Sequence, residues 1–600
     1  MMDGALTCVG ISGATERSLL ADWLSPALRE QVREDAYAFI KRLRHVTVDG
    51  MPMRARFTFR DDSLWWFTEI YLHKMRRIET AIATLLALDA ACRHHDPARL
   101  SVTTTDATVG VAARAFAAAA RQPIDIVASP TARSRPRWTS FLIGATAQAS
   151  RLRPQRHVTV PAHTRVAAFV HTAFWRRRSA PDLIGEEHYI GPVLHALAAK
   201  TAAGVTCVGV GPRRTFRARR WWDTLTPGEP TVLPIEHLAP RHAIRDALAF
   251  WRRREQYARE VVAGDAVRAA GLYGQWDLWP ILRAELEETA RVQWPWSVRA
   301  MDEAGAALDT LKPGVVVTYA EAGGGGRALM LEARRRHIPS VGLQHGFIYR
   351  HWLNYRHERD EMSASGSDCG FPRPDLTLLF DGYAAAHLRS AGAFPPESLA
   401  ITGSPRLDEL AERVSSAVPD RAQMRTEAAV GPEGKLIVFA AKFTEIGDQL
   451  GAFFDAALSC PDVVVVVKPH PADRAEDYAR VAAGRAGIRV AAPDADLGRL
   501  LAAADAVATM NSTVALDAMV LGVPAVVIGL PNNLTPFVEA GVMFGADRTS
   551  LGAVLRALLY DRRARDDWRQ RARDYAARYD MRADGQAAAR AADAILRVSR

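Results

Sequence analysis

The chain has 600 residues, which is too long for a single hydrophobic core, so two or more domains are expected. Its composition is ordinary for a globular protein, and 77 basic against 67 acidic residues leave a net charge of +10. This modest surplus is not gathered into one basic block. It disfavours nucleic acid as a partner and is compatible with anionic substrates or lipid headgroups.

Cysteine usage and apolar runs predict the cellular compartment. The five cysteines lie far apart and include no CxxC pair, so neither a disulfide framework nor a zinc ribbon is expected. The N-terminal segment lacks a basic stretch followed by an apolar one, and the longest apolar runs, such as Val463–Val467, have the length of strands. We therefore expect a cytoplasmic protein without a secretory signal.

The order of elements predicts an α/β protein. Short β-branched runs alternate with Ala- and Leu-rich stretches, which is typical of βαβ units around parallel sheets. We predict a helical preface at residues 1–60 and a first Rossmann-like domain at residues 61–370, with a helical insertion at about 244–310. The strands predicted for this domain are Leu100–Thr104, Ile124–Val127, Val166–His171, Val205–Val210, Thr231–Pro234, Val315–Tyr319 and Ser340–Leu343.

A second Rossmann-like domain is predicted at residues 371–600. It follows Gly366–Pro374, whose prolines and glycines are typical of an interdomain linker. The C-terminal end of the chain is rich in Arg and Ala with helical spacing. The strands predicted for this domain are Leu376–Phe380, Leu399–Thr402, Lys435–Ala440, Val463–Val467, Ile488–Ala491, Ala506–Ala508 and Ala525–Gly529.

The ends of these strands are where we expect ligands to bind. In open parallel sheets, loops and helix N-termini gather beyond the carboxyl ends of the strands. In the second domain, cations, hydroxyls and free amides follow four strands, and this combination suits a pyrophosphate or phosphodiester. The predicted substrate-binding residues there are Gly403, Arg406, Lys442, Lys468, His470, Ser512, Thr513 and Asp517.

Several of these residues also have a purely structural explanation. A solvated surface position accounts for Lys442 equally well, and the prolines beside His470 also suit a rigid strand exit. Ser512 and Thr513 are common caps for a following helix, a role compatible with phosphate binding. Asp517 lies one turn into that helix, where it could accept a ribose hydroxyl or form a surface salt bridge.

The first domain contributes a glycine loop and two candidate catalytic residues. Gly323 and Gly324 begin a run of four glycines that permits close backbone approach to a ligand, although its spacing fits neither a dinucleotide fingerprint nor a P-loop. His345 follows the strand Ser340–Leu343, and a core position is its structural alternative. Glu321 and His345 are predicted to approach each other at neighbouring strand ends as orienter and base.

Two segments of the second domain resemble the donor half of GT-B glycosyltransferases. They are Val465–Pro471 (VVVKPHP) and Met510–Val527 (MNSTVALDAMVLGVPAVV). The similarity is greatest to the capsule-polysaccharide, polysialic-acid and Kdo transferases and to the teichoic-acid glycerophosphotransferases. Gly342–Ile348 (GLQHGFI) and Ile401–Leu410 (ITGSPRLDEL) are similar to segments that flank the cleft in those relatives. The resemblance covers about residues 312–530 and implies two Rossmann-like domains whose parallel sheets face each other across a cleft.

The resemblance also implies roles for individual residues. In this family an HP motif and a Ser/Thr motif hold the phosphates and base of a nucleotide, and His470–Pro471 and Ser512–Thr513 match them here. Glycerophosphotransferases have a histidine-glycine pair in the acceptor domain, which His345–Gly346 matches. The implied ligands are a nucleotide-sugar donor, bound as a substrate and not as a cofactor, and a glycan or lipid-linked acceptor.

Two features of the family are missing. The acidic-acidic-glycine motif that provides the base in polysialyltransferases is matched only by the fragment Asp381–Gly382. The DxD sequence Asp494–Asp496 falls in a predicted surface loop, so no metal site is expected. Both departures fit a metal-independent enzyme in which amides and cations stabilise the leaving phosphate.

The resulting prediction is a glycosyltransferase of bacterial surface polysaccharide biosynthesis that uses a nucleotide-activated sugar. The second domain binds the nucleotide, and His345, assisted by Glu321, deprotonates an acceptor hydroxyl. Three alternatives share the fold. They are a polyol-phosphate transferase with a CDP-linked donor, a sugar-nucleotide 2-epimerase, whose usual donor motifs are not evident, and a catalytically silent scaffold of polysaccharide assembly.

Clusters of tryptophan and arginine provide a candidate surface for peripheral contact with the inner membrane. They lie at Trp65–Trp66, Phe174–Arg178 and Arg219–Trp222. The alternative, which we favour because no amphipathic stretch connects them, is that the tryptophans pack in the first domain. The segment Trp65–Glu69 is also a candidate for the acceptor side of the cleft.

Overall fold

The computed structural model describes residues 4–9, 15–95, 99–119, 124–128, 163–174, 187–201, 204–210, 232–239, 241–447, 449–470, 473–492 and 494–599. Two-residue strands form hairpins at Thr47–Val48 with Met51–Pro52, Thr58–Phe59 with Asp62–Ser63, and Leu272–Tyr273 with Trp276–Asp277. The longer strands are β1 (Ala5–Val9), β2 (Thr15–Leu19), β3 (Arg99–Thr104), β4 (Ile124–Ala128), β5 (Val166–His171), β6 (Val205–Val210), β7 (Val232–Pro234), β8 (Val315–Thr318), β9 (Ser340–Leu343), β10 (Leu376–Leu379), β11 (Leu399–Ile401), β12 (Lys435–Phe439), β13 (Val463–Val467), β14 (Ile488–Val490), β15 (Ala506–Thr509), β16 (Ala525–Ile528) and β17 (Phe544–Ala546).

Helices connect most of these strands. Short helices occur at Met53–Arg56, Ile235–Leu238, Asp265–Ala269, Phe443–Ile446 and Thr535–Glu539, and a π-helical turn at Thr289–Gln293. The longer helices are α1 (Pro26–Arg42), α2 (Trp65–Met75), α3 (Arg77–His95), α4 (Ala107–Ala119), α5 (Gly191–Lys200), α6 (Arg245–Glu260), α7 (Trp279–Glu288), α8 (Trp294–Leu311), α9 (Gly324–Arg335), α10 (Gly382–Ser390), α11 (Pro405–Ala417), α12 (Arg421–Glu427), α13 (Gln449–Leu458), α14 (Ala475–Ala482), α15 (Leu497–Ala503), α16 (Val514–Val520), α17 (Leu551–Tyr560), α18 (Arg562–Arg578) and α19 (Ala587–Val598).

The N-terminal part of the chain forms a small sheet of its own. Its four strands have the order β2-β1-β3-β4, with β1 antiparallel to both neighbours. The preface at residues 1–60 is therefore not only helical, because β1 and β2 belong to it. The predicted strands at Leu100–Thr104 and Ile124–Val127 exist, but they join this sheet and not a Rossmann-like one. Leu6 and Cys8 are buried, and their alternation with Thr7 is the signal that marks β1.

The second sheet has seven parallel strands in the order β7-β6-β5-β8-β9-β10-β11. The sequence-based prediction placed β10 and β11 in the second domain. The structure instead pairs β10 with β9 and extends the first Rossmann-like sheet to Ile401. The reason is that Gly366–Pro374 does not separate two domains. Phe371 is buried, and Asp368 forms a buried ion pair with Arg54, so this segment packs on the N-terminal region.

The third sheet has six parallel strands in the order β14-β13-β12-β15-β16-β17. Numbered along the chain, this is the order 3-2-1-4-5-6 of a Rossmann fold. Strand β13 is five valines in a row, as expected when helices cover both faces of a parallel sheet. The predicted α/β class, with two Rossmann-like parallel sheets, is confirmed.

The C-terminal helix returns to the second sheet. Ala591, Ala592 and Ile595 of α19 are buried in the core that contains Val166 and Val317 of β5 and β8. The predicted second domain, residues 371–600, therefore contributes its first strands and its last helix to the first Rossmann-like unit. Residues 244–310 are largely helical, as predicted for an insertion, and α8 packs against α9.

A buried ion cluster joins the N-terminal helices to the second sheet. It consists of Lys41, Glu69, Arg327, His357 and Glu361, each at most 4% exposed. Lys41 Nζ pairs with Glu69 and lies 2.7 Å from Glu361 Oε2, while Arg327 Nη1 lies 2.6 Å from the second Glu69 oxygen. Burial and the charge of Lys41 hold the pKa of His357 well below its ordinary value, so two cations face two carboxylates. Because Arg327 lies in the first turns of α9, the cluster fixes the helix that follows the glycine loop.

The tryptophans of α2 belong to the core. Trp65 and Trp66 are 1% and 0% exposed, and Glu69 lies in the buried ion cluster. The hypothesis that Trp65–Glu69 lines the acceptor side of the cleft is therefore wrong, and the packing alternative holds. Of the other two clusters, Trp175–Arg178 and Arg219–Trp222 lie outside the described residues. In the part of the chain that the structure describes, no helix combines the length and the apolar character needed to cross a bilayer.

Candidate functional site

The third sheet has one point where a ligand crevice is expected. Its strand order reverses between β12 and β15, and such a reversal opens a crevice at the carboxyl ends of the strands. Strand β12 ends at Phe439 and β15 at Thr509, so the loops that hold Lys442 and Ser512 follow the two strands that flank the crevice. Thr509 Oγ1 donates to the Ala440 carbonyl at 2.5 Å and ties the two strand ends together.

A group of titratable side chains surrounds His470 beside this crevice. Burial lowers the pKa of His470 below its ordinary value, and the charges of Lys442 and Lys468 lower it further, against the opposing effect of Asp473 and Glu445. The imidazole is therefore neutral at pH 7. Lys442 Nζ lies 3.5 Å from Glu445 Oε1 and is about half exposed. The structure thus brings together three of the predicted residues, whereas Pro471 lies outside the described residues.

Two residues that support this group were not predicted. Asp473 Oδ2 accepts a hydrogen bond from the Phe443 amide at 2.8 Å and lies 2.7 Å from the Tyr478 hydroxyl. The same hydroxyl lies 2.6 Å from the Ala441 carbonyl. Asp473 and Tyr478 therefore join the loop after β12 to the loop after β13. Asp473 lies only three residues after His470 in the sequence, and this closeness is the signal that could have identified it.

Ser512, Thr513 and Asp517 have intramolecular partners. Ser512 Oγ accepts from the Val514 amide at 3.3 Å, and Thr513, the N-cap residue of α16, makes no side-chain capping bond. Arg406 Nη2 donates to Thr513 Oγ1 at 3.0 Å and to Asp517 Oδ2 at 2.9 Å. Burial raises the pKa of Asp517 and the charge of Arg406 opposes this. Asp517 therefore forms a salt bridge in this structure, and Arg406 joins α11 to α16.

A pocket lies around the Arg406 bridge, between loops of the second sheet and helix α16. Asp381 is one of its acidic residues, and burial raises the pKa of that carboxyl to about 6, against hydrogen bonds from the Ala384 and Tyr383 amides. The pocket combines apolar walls with both signs of charge, as ligand sites do. Its lining residues are Gln344, Phe347, Phe380, Asp381, Ser404, Arg406, Leu407, Thr513, Leu516, Asp517, Val520, Met581 and Arg582.

Gly403 does not face this pocket. Its φ of +90° favours glycine, and a Cβ there would lie 2.8 Å from Arg590 Nη2 and 3.0 Å from Ala587 Cβ. Both neighbours are on α19. The structure gives Gly403 a packing role, in which its missing side chain admits the C-terminal helix, and its part in substrate binding stays a prediction.

The glycine loop begins α9 at the carboxyl end of β8. Gly323 is the N-cap residue of α9, and a Cβ at Gly324 would meet no heavy atom within 4 Å, so this turn is open. Gly326 differs, because a Cβ there would lie 1.9 Å from the Ala320 carbonyl oxygen. The loop thus contains one glycine required by packing and one position where a ligand has access.

These two glycines predict effects of different size for the same substitution. Gly326→Ala forces a methyl group into the backbone of Ala320, and we expect it to destabilise the protein by about 2–4 kcal/mol. Gly324→Ala meets open space in a helix and is expected to change stability by less than about 1 kcal/mol, in either direction. Thermal unfolding of both variants checks this pair. Equal midpoints would show that α9 approaches β8 less closely than described.

His345 lies at the carboxyl end of β9 inside an aromatic cage. Its ring centroid is 5.4 Å from those of Tyr189 and Tyr319 and 5.6 Å from that of Trp352. Burial lowers the pKa of His345 to about 4, against a hydrogen bond with the Tyr319 backbone. Its Nδ1 is buried and has no hydrogen-bond partner among the described residues. The imidazole is therefore neutral, and one of its nitrogens is buried without a hydrogen-bond partner among the described residues.

Glu321 and His345 do not form a base–orienter pair in this structure. The hydrogen-bond partner of Glu321 is Tyr355, whose hydroxyl donates to Oε1 at 2.5 Å. The Trp352 ring contacts both His345 and Tyr355 edge-on and therefore lies between the two candidates. Burial raises the pKa of Glu321 to about 7, against the Tyr355 hydrogen bond, and Oε2 has no partner in the described part of the chain.

Comparisons with known proteins give one sequence match. Residues 437–533 match the model of the family described as capsule polysaccharide biosynthesis protein. A sequence comparison with curated proteins finds no match. The matched segment contains Lys442, Lys468, His470 and Ser512, and thus most of the site at the third sheet.

Similar solved structures include UDP-GlcNAc 2-epimerase from Neisseria meningitidis bound to UDP-GlcNAc, at 12% identity and a TM-score of 0.41, covering 72% of this chain and 98% of that one. A putative UDP-N-acetylglucosamine 2-epimerase from Listeria monocytogenes has 16% identity and a TM-score of 0.42 over 72% of this chain and 95% of its own. A variant of the wall teichoic acid polymerase TagF, soaked with CDPG, has 12% identity and a TM-score of 0.39 over 77% and 98%. The part of the chain that forms the third sheet and its site is similar to capsule polysaccharide biosynthesis proteins, which confirms the predicted resemblance to bacterial surface polysaccharide enzymes.

Proposed function

We propose that the protein is a glycosyltransferase of bacterial surface polysaccharide biosynthesis that uses a nucleotide-activated sugar. One observation supports this above the others. Two lysines and a neutral histidine follow β12 and its neighbour β13, beside the strand-order reversal of a Rossmann-like sheet, in the segment that matches capsule polysaccharide biosynthesis proteins. Such a reversal is where nucleotides bind in this architecture.

In this proposal the donor diphosphate lies beside Lys442, Lys468 and His470. The two ammonium groups would offset the charge of the leaving nucleotide, and a neutral imidazole can donate one hydrogen bond to a phosphate oxygen. These residues take the role that a metal ion has in other transferases, so we propose a metal-independent reaction. On binding, Arg406 is placed to exchange its bond with Asp517 for a ligand group in the pocket.

The acceptor would react near the aromatic cage. His345 is neutral and its Nδ1 has no partner among the described residues, so it can accept a proton from an acceptor hydroxyl. The open turn at Gly323 and Gly324 lies at the carboxyl edge of the same sheet, after β8. The proposed acceptor is a glycan or a lipid-linked glycan.

A polyol-phosphate transferase is the second candidate. The observation that favours it is the His345–Gly346 pair, which matches the histidine-glycine pair of glycerophosphotransferases. Such an enzyme would use a CDP-linked donor at the same lysines, and the acceptor would attack phosphorus instead of carbon. The product distinguishes the two candidates, because only the product of a polyol-phosphate transferase contains a new phosphodiester linkage.

Thermal-shift titration tests the donor site. We expect one nucleotide among CMP, CDP, UDP, GDP and ADP, or a UDP-sugar, to raise the unfolding midpoint, since about 2.7 kcal/mol is gained at a hundredfold excess over Kd. His470→Ala should abolish this rise. His94→Ala, which changes an exposed histidine of α3, is the matched control and should retain it.

The pattern of responses separates the candidates. A rise with UDP, a UDP-sugar, GDP or ADP favours the glycosyltransferase. A rise with CMP or CDP alone fits a CMP-sugar donor and a CDP-linked donor alike, and the linkage in the product then decides between them. A rise that persists in His470→Ala would place the nucleotide elsewhere. Tight binding without transfer to any acceptor would support a catalytically silent scaffold, and no rise with any compound would contradict the proposed function.

A further inference from the structure

Helix α6 presents a basic face to solvent. Its buried side, with Ala247, Phe250 and Ala258, packs mainly on α8 and on the π-helical turn before it. On the opposite side, Arg245, Arg252 and Arg259 are exposed at intervals of seven residues. Seven residues are two helical turns, or about 10 Å, so the three guanidinium groups form a line along the helix.

Two large apolar side chains are exposed beside this line. Leu248 is 47% exposed and Trp251 is 39% exposed, and they lie one turn apart on the same helix. The guanidinium of Arg254 stacks 4.4 Å from the Trp251 ring centroid and donates to the Trp251 carbonyl at 2.8 Å. An exposed tryptophan next to arginines is typical of side chains that sit at the boundary between water and lipid.

The three arginines have no ion-pair partner among the described residues. The acidic residues of α6 have other partners: Asp246 lies 2.7 Å from Arg60 Nη2, Glu255 lies 2.9 Å from Arg291 Nε and Glu260 lies 3.4 Å from Arg56 Nη2. Arg245, Arg252 and Arg259 form no ion pair or side-chain hydrogen bond among the described residues. The three guanidinium groups are therefore unpaired among the described residues, and the carboxylate one turn from two of them, Glu255, is bound to Arg291.

We propose that this face of α6 docks on a lipid surface with anionic headgroups. The arginine line matches the negative charge of such a surface, and Leu248 and Trp251 are placed to enter the interfacial layer. A soluble polyanion would match the charge but would leave the two apolar side chains in water. This docking surface is independent of the proposed reaction. Its residues are also different from those of the three tryptophan and arginine clusters named from the sequence.

Vesicle co-sedimentation of the full chain tests the proposal. Wild-type protein should sediment with mixed phosphatidylcholine–phosphatidylglycerol vesicles and not with phosphatidylcholine alone. Each arginine near an anionic leaflet contributes roughly a factor of five to partitioning. The triple change Arg245→Gln, Arg252→Gln, Arg259→Gln should therefore weaken it roughly a hundredfold. The double change Leu248→Ser, Trp251→Ser should weaken it at least tenfold.

The matched control removes the same charge from another exposed helix. Arg562, Arg563 and Arg573 are exposed on α18, and their change to glutamine lowers the net charge equally. This control should sediment like wild type. An equal loss in both triple variants would show binding through net charge alone and overturn the proposal. Failure of the wild-type protein to sediment with anionic vesicles would also overturn it. The same holds if the protein binds soluble dextran sulfate through these arginines but does not bind vesicles. Nucleotide-induced stabilisation, measured in parallel, should be unchanged in every variant.

Discussion

Glu69→Ala is expected to speed amide hydrogen exchange in α1 and α2 by roughly two to three powers of ten. Glu69 accepts from both Lys41 and Arg327 in the buried ion cluster, so its loss leaves Arg327 without a carboxylate and Lys41 with only Glu361. Breaking a buried ion pair by removing one partner costs about 3–5 kcal/mol, because the remaining charge is buried and uncompensated. Exchange measured by mass spectrometry on peptides of α1 and α2 reads this local opening free energy directly.

Glu79→Ala is the matched control for this measurement. Glu79 pairs with Arg76, whose side chain is 67% exposed, and an exposed ion pair of this kind contributes less than about 1 kcal/mol. Exchange in α1 should then change by less than tenfold. Glu69→Gln keeps the size of the side chain and should give a smaller effect of the same sign. Less than a tenfold effect of Glu69→Ala would show that the cluster does not stabilise the N-terminal helices.

The same cluster predicts an acid dependence with a definite sign. Burial alone would raise the pKa of Glu69, but Lys41 and Arg327 outweigh it and hold this pKa below its ordinary value. A carboxylate with a lowered pKa stabilises the fold fully above its unfolded pKa, about 4.3, and this contribution is lost as the pH falls through the folded pKa. The difference in local opening free energy between wild type and Glu69→Ala should have its full size at pH 7 and should become smaller as the pH falls into the acid range.

The strands could be predicted because their signal is local. Val463–Val467 is a continuous β-branched run bounded by turn residues, and Ser340–Leu343 has a proline before it and a glycine soon after. Each predicted strand position is occupied by a strand in the structure, within a residue or two. Sheet membership is not local. β10 pairs with β9 in the first Rossmann-like sheet, and the Arg54–Asp368 pair holds the segment before it. No periodicity in the sequence reveals contacts between residues so far apart.

The same distinction applies to the site. Parallel strands all end at one edge, so the grouping of Lys442, Lys468 and His470 followed from their positions after β12 and β13. Partners formed across the fold could not be predicted. Asp517 is bound by Arg406, from a helix more than a hundred residues earlier, and Glu321 is bound by Tyr355. A sequence shows which groups can bind a ligand, and only the fold shows which of them already bind each other.

His345→Ala is expected to lower kcat by about a hundredfold to ten-thousandfold, which is the usual contribution of a general base. Nucleotide-induced stabilisation should be unchanged, because the donor residues lie on the other sheet. Glu321→Gln is the matched comparison. It can still accept from the Tyr355 hydroxyl, so a base at His345 predicts less than a tenfold effect for this change.

The pH profile of wild-type kcat distinguishes the two bases. Because burial lowers the pKa of His345 to about 4, its reactive neutral form is complete at pH 7, and the rate should decline only as the pH falls towards 4. Burial raises the pKa of Glu321 to about 7, so a base at that residue would halve the rate near neutral pH. If the pH profile of kcat has a midpoint near 7 that Glu321→Gln abolishes, and His345→Ala is fully active, then Glu321 is the general base. A midpoint near 4 that His345→Ala abolishes assigns proton removal to the caged imidazole.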